Sequence, residues 1–90
     1  MKLIAGQKYN LVFDWGAVTC YYIGYLKNCN YTCEHCGREL WNVHEFLQPI
    51  NSETNYEDCY NGKYKEVFYV GTTCIKKTVE VLKLEAEIAE

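Results

Sequence analysis

The feature that most constrains this chain is the run Cys29-Asn30-Tyr31-Thr32-Cys33-Glu34-His35-Cys36-Gly37, answered downstream by Gly71-Thr72-Thr73-Cys74. Two thiolates separated by two residues on a tight turn can aim their sulfurs at one point. A glycine directly after the second lets the backbone bend sharply. Cys33, Cys36 and Gly37 meet that requirement. Cys74 falls where a strand is expected to run into a helix, and a first helical turn favours thiolate over thiol. The two segments together predict a metal-stapled fold in which much of the cysteine chemistry is structural.

Size makes such a staple useful. Ninety residues amount to one domain over 1–90, with an N-terminal hairpin over 1–26 and a knuckle, a second hairpin and a helix over 27–90. A core of this size is marginal without help, and small scaffolds commonly add disulfides or a metal. The start Met1-Lys2-Leu3-Ile4-Ala5-Gly6-Gln7-Lys8 has no long apolar run and no cleavage-site pattern. No stretch approaches the roughly 18 apolar residues of a membrane span. The expected setting is a reducing cytoplasm, where clustered cysteines favour metal over disulfides.

Hydrophobic patterning gives an α+β class of antiparallel hairpins and a C-terminal helix. Tyr9, Leu11, Phe13 and Trp15 alternate onto one strand face, and Asp14-Trp15-Gly16 can turn the chain. Ala17 to Leu26 reads as the partner strand, with Gly24 as a bulge. Arg38 to Leu47 fits helix or strand, and strand is favoured because the later strand needs a mate. Pro49 ends it. Asn51 to Asn61 reads as a polar, acidic loop, Asn61-Gly62 as a turn, and Lys63 to Val70 as a strand. Ile75, Val79, Leu82, Ala86 and Ala89 form one apolar helical stripe, with Thr72 or Thr73 as its cap. That stripe is expected to pack on its own sheet, leaving a monomer.

The order of knuckle, strands and helix-borne cysteine resembles a treble-clef zinc finger. The usual treble clef places two ligands on the helix start at i and i+3, but here the second of those positions is Lys77. The fourth ligand must come from elsewhere. Cys59 would complete a four-cysteine site, the commonest structural type, although a regular hairpin turned at Asn61-Gly62 would leave it remote from Cys74. His44 is an acceptable alternative set within a strand. Cys29 is close in sequence but crowds a tetrahedron. The expected ligand set is therefore Cys33, Cys36, Cys59 and Cys74 around Zn2+, with zinc preferred to iron because nothing suggests electron transfer. Cys20 is expected in the core and His35 in solvent.

Other chemistries fit less well. A Cys-x-x-Cys redox pair lacks a surrounding βαβ unit, and three disulfides rest only on an even cysteine count. A catalytic zinc keeps an open position and usually has histidine or carboxylate ligands. The two histidines match no such motif, nor the deaminase pattern, so no enzyme is expected. A net charge of −3 and a pI near 5.4 argue against strong duplex binding, which needs phosphate neutralisation. They suit a basic protein partner instead. Nine tyrosines serve small cores and binding surfaces alike.

Cys33-x-x-Cys36-Gly37, a strand, and Tyr69-Val70-Gly71-Thr72-Thr73-Cys74-Ile75-Lys76-Lys77 resemble small zinc-binding proteins encoded by phages and prophages. The likeness runs from about Cys33 to Leu84, leaving the hairpin Met1 to Leu26 outside it. In small size, acidity, abundant tyrosine and a metal staple, the chain also resembles phage anti-CRISPR proteins that inhibit type II-A Cas9 by binding it. That resemblance implies acidic side chains meeting lysines and arginines that otherwise contact nucleic acid. Glu53, Glu57 and Asp58 are the candidate contacts, set against the simpler reading of a solvated loop. The competing expectation is a nucleic-acid-binding treble clef, using Lys63, Lys65, Lys76, Lys77 and Lys83 beside Tyr64 and Trp41.

Overall fold

The computed structural model describes residues 3–79. Strict alternation builds β1 (Lys8–Phe13), whose Tyr9, Leu11 and Phe13 are buried while the residues between them are half-buried. The chain turns through Asp14 and Trp15 into β2 (Gly16–Leu26), pairing Phe13 with Gly16 and Lys8 with Tyr21. Gly16 sits at φ +145°, a region closed to ordinary side chains, so the strand restarts on the one residue that tolerates it. Trp15 leaves the alternation expected of it and stands in the turn, 58% exposed.

Next, β3 (Tyr31–Thr32) and β4 (Glu39–Leu40) form a short ribbon on either side of the knuckle. β5 (Val43–Pro49) follows, so the ambiguous segment is a strand. After α1 (Tyr56–Tyr60) comes β6 (Tyr64–Gly71), and then α2 (Ile75–Thr78). The main sheet is antiparallel with order β1-β2-β5-β6. The expected bulge is present: register shifts between Tyr22 and Gly24, which sets Tyr25 opposite His44. A second shift between Gln48 and Pro49 lets proline close the inner strand β5.

The sheet coils strongly. Three strand spacings of about 4.8 Å would hold flat edge strands roughly 14 Å apart. Yet the Phe13 ring of β1 lies 5.5 Å from Phe68 of β6, and Trp15 stacks 5.1 Å from Phe13 and 6.0 Å from Phe68. The concave face holds the main core of Tyr9, Leu11, Phe13, Cys20, Tyr22, Phe46, Phe68 and Val70, closed by Cys33, Cys74, Ile75 and Val79. The convex face carries a smaller cluster of Tyr21, Leu47 and Cys59, with Ile23, Tyr56 and Val67 packed on it. Cys20 is fully buried, as expected.

Two segments depart from expectation. The acidic loop contains α1, capped by the Asn55 side chain, which accepts a 2.8 Å bond from the Asp58 N–H. Glu57 and Asp58 occupy its first turn, where the helix dipole favours them. The C-terminal helix does not continue from Ile75 through Val79. Val79 is extended (φ −88°, ψ 111°) and bridges Leu11 of β1. A β-branched residue 3% exposed against a strand edge gains more from that burial than from another helical turn. Cys74 holds the N-cap position without any side-chain cap bond, so neither Thr72 nor Thr73 caps α2. Leu82, Ala86 and Ala89 of the expected stripe lie outside the described residues, as do Lys83 and Leu84.

Burial pushes the Cys20 thiol up from the ordinary 9.0 to about 12, with Cys59 nearby adding to the shift. An unfolded chain releases that proton near pH 9 while the folded one keeps it. Stability of the metal-free protein should therefore fall as pH rises from about 9 to about 12. Denaturant midpoints across that window should fall less steeply for Cys20→Ala; identical slopes would assign the loss to other groups.

Candidate metal centre

The knuckle is built by its own backbone. The Cys33 N–H donates to Arg38 O at 2.9 Å and the Gly37 N–H to Cys33 O at 2.8 Å, closing the turn between β3 and β4. Gly37 sits at φ +74°, the left-handed conformation that its position after Cys36 demands. The turn is docked on the outer edge of β6. There the Glu34 N–H donates to Tyr69 O at 2.7 Å, and the Tyr31 ring stacks on Tyr69 at 4.1 Å. The Gly71 N–H then donates to Cys33 Sγ at 3.2 Å.

Gly71-Thr72-Thr73-Cys74 makes the second half of the site. The Cys74 N–H donates to Gly71 O at 3.0 Å, which folds the end of β6 into a turn. The Thr78 hydroxyl and N–H both donate to Cys74 O, at 2.8 and 3.1 Å, fixing the backbone behind the thiol. As a result the sulfurs of Cys33, Cys36 and Cys74 all lie within 4.8 Å of one another. A tetrahedral ion bonded at about 2.3 Å to sulfur sets its ligands about 3.8 Å apart. The cluster is thus within about 1 Å of coordination geometry. Cys33 and Cys74 are buried, and Cys36 is exposed.

The thiols differ in acidity for local reasons. A hydrogen bond from the Arg38 backbone, helped by Cys74, Cys33 and the Arg38 charge, holds Cys36 below the ordinary thiol range. Burial, followed by its contacts with Cys36 and Cys33, pushes Cys74 up to about 11. Cys36 therefore ionises ahead of Cys74. A bound cation would reverse the penalty on Cys74 by supplying the charge that burial denies it.

The remaining candidates are held elsewhere. Cys59, expected as the fourth ligand, is buried on the convex face with Tyr21 and Leu47, its thiol 3.9 Å from Leu47 O. Strand parity is the reason: α1 packs on the face that carries Leu47, whereas Cys33 and Cys74 close the opposite one. His44 Nδ1 lies 2.8 Å from the Tyr22 hydroxyl, and its ring sits among Tyr22 and Tyr25. Cys29 is at the far end of the β3–β4 ribbon, with its N–H on Trp41 O and its thiol on Lys27 O. His35 is half-buried instead of solvent-facing. Its ring is 6.4 Å from Phe13, and its buried Nδ1 has no hydrogen-bond partner among the described residues. All six cysteines are free thiols.

Glu53, Glu57 and Asp58 are exposed. The Glu53 N–H bonds the Asn51 side chain at 2.9 Å, which orders the turn before α1. Sequence reading missed the Gly71 contact with Cys33, because nothing in the residue pattern announces an amide aimed at a sulfur. Among the described residues, no helix is long and apolar enough to cross a membrane. Fold and site together define a small antiparallel-sheet protein with a three-cysteine cluster able to hold a metal ion. No protein-family model, curated protein or solved structure matches the chain.

The close approach of Gly71 to the knuckle makes a test. A Cβ there would collide with Leu40 Cδ1 and meet Cys33 Sγ at 3.8 Å. Gly71→Ala should cost about 1 kcal/mol, the low end of overpacking, because the atom in the way is the terminal methyl of a half-buried leucine. Adding Leu40→Ala should recover part of it in denaturant titrations; a cost unchanged by the second substitution would place the strain in the backbone.

Proposed function

We propose that Cys33, Cys36 and Cys74 bind a zinc ion that staples the knuckle to the turn after β6 in a treble-clef-like arrangement. We further propose that the stapled chain is a non-enzymatic protein-binding module. The observation that carries the metal reading is the convergence of the three sulfurs from two distant segments to within 4.8 Å. An all-thiolate donor set is soft and suits zinc among common cytoplasmic ions. Structural zinc supplies roughly 10–16 kcal/mol in finger peptides, against a total stability of about 5–15 kcal/mol for ordinary domains. Metal at this site would decide whether the chain folds.

The purified protein should hold one zinc per chain by elemental analysis. Cys33→Ser, Cys36→Ser and Cys74→Ser should each abolish stoichiometric binding, and Cys59→Ser should keep it. Because thiol protons must leave, apparent affinity should rise with pH across the neutral range. A metal-free protein with an unchanged melting temperature after chelation would remove the reading.

The partner proposed is a basic nucleic-acid-binding protein of a host defence system, Cas9 being the one the anti-CRISPR resemblance implies. Support comes from the net charge of −3 and from the exposure of Glu53, Glu57 and Asp58 on one short stretch. Electrostatic complementarity of this kind acts mainly on encounter rate and salt dependence. The Glu53→Lys/Glu57→Lys/Asp58→Lys variant should keep its zinc but lose binding to Cas9, most clearly at low ionic strength. No complex between the wild-type chain and Cas9 at micromolar concentration would sink this choice of partner while leaving the metal site untouched.

A further inference from the structure

We infer that the metal at this centre keeps one coordination position for a donor from outside the chain, and that the position takes a thiol or an imidazole. The inference rests on the metal reading above and deepens it. Zinc bound by three protein ligands completes its tetrahedron with a fourth group. Every cysteine and histidine of the chain lies within residues 3–79, and among the described residues only Cys33, Cys36 and Cys74 converge.

None of the others joins the group, although the buried Nδ1 of His35 has no hydrogen-bond partner among the described residues. Cys20 is buried in the concave core, and Cys59 is buried on the opposite face. Cys29 is tied to Lys27 and Trp41 at the remote end of the ribbon. His44 is engaged by Tyr22, and His35 packs toward Phe13 outside the group. Drawing in Cys59 would require α1 to leave one face of the sheet for the other, which exceeds any adjustment of side chains.

The position is also reachable. Cys33 and Cys74 are buried whereas Cys36 is exposed, so an ion held by the three would be open to an outside donor on the Cys36 side. Charge limits what can sit there. A divalent ion with three thiolates carries about −1, which opposes the acidification of bound water seen at histidine-ligated zinc. The centre is therefore suited to capturing a donor and poorly suited to making hydroxide. Soft thiolate and imidazole groups are the donors zinc accepts most readily from proteins and small molecules.

Cobalt(II) reports the test, because its ligand-field bands follow the donor set. The full chain should bind one cobalt with thiolate charge-transfer absorption. Titration with imidazole, and separately with a small monothiol, should shift the ligand-field bands saturably, one donor per cobalt, with the metal retained. Sedimentation without added donor separates the sources. A dimer that dissociates on adding thiol identifies a second copy as the donor, and a monomer identifies a free or partner-borne group. Bands that ignore both donors overturn the inference while the metal reading stands. So would a band change in His35→Ala, in Cys29→Ser, in Cys59→Ser, or in a variant with Glu80, Glu85, Glu87 and Glu90 replaced by glutamine, since the chain would then supply its own fourth ligand. Failure to bind cobalt at all overturns both.

Discussion

The contact on which the structure depends is the seating of the knuckle on the outer edge of β6. A bond from the Glu34 N–H to Tyr69 O, a bond from the Gly71 N–H to Cys33 Sγ and the stacked rings of Tyr31 and Tyr69 make that contact. Each polar bond alone is worth about 1 kcal/mol net. Their consequence is larger than their sum, because they bring Cys33 and Cys36 to Cys74. Local turn chemistry at either segment gives only half a site. The site exists because a strand edge, with its unpaired carbonyls, accepts the knuckle as a substitute for a further strand.

The coil of the sheet serves the same end. Curvature brings Phe13 and Trp15 over Phe68, which shuts one end of the concave face with stacked rings. α2 lies against both β1 and β6, with Ile75 and Cys74 in the core. A chain of this size buries only about 60–65% of the surface it exposes when unfolded, so its core leaves little in reserve. Metal coordination would add its energy beside Cys33 and Cys74, which belong to that core.

Much of this was legible in the sequence, for identifiable reasons. The turn at Asp14-Trp15-Gly16, the bulge at Gly24 and the end of β5 at Pro49 are fixed by backbone chemistry that glycine and proline state openly. The Cys33–Cys36 pair was legible because its spacing is local, and Cys74 because it stands at an expected strand-to-helix junction; that the two segments meet is a tertiary fact. Cys59 was not, since which face of a sheet a residue meets depends on strand parity and on the short helix that carries it. The Asn55-Tyr56-Glu57-Asp58 cap was a readable signal that the acidity of the segment obscured. Periodicity carried the last helix past Val79, where burial against Leu11 overrides it. The place of His35 between two cysteines points to solvent, and the reach of its ring to Phe13 is a tertiary fact.

The arrangement around Tyr69 has one more consequence. A strand edge with free backbone groups is a template for pairing with other chains. Here both outer strands are partly occupied, β1 by the bridge from Val79 to Leu11 and β6 by the knuckle. The contacts that gather the thiols therefore also blunt the margins of the sheet. A small protein with two bare margins would be at risk of self-association; this one uses its cysteine turn and Val79 to keep its strands to itself.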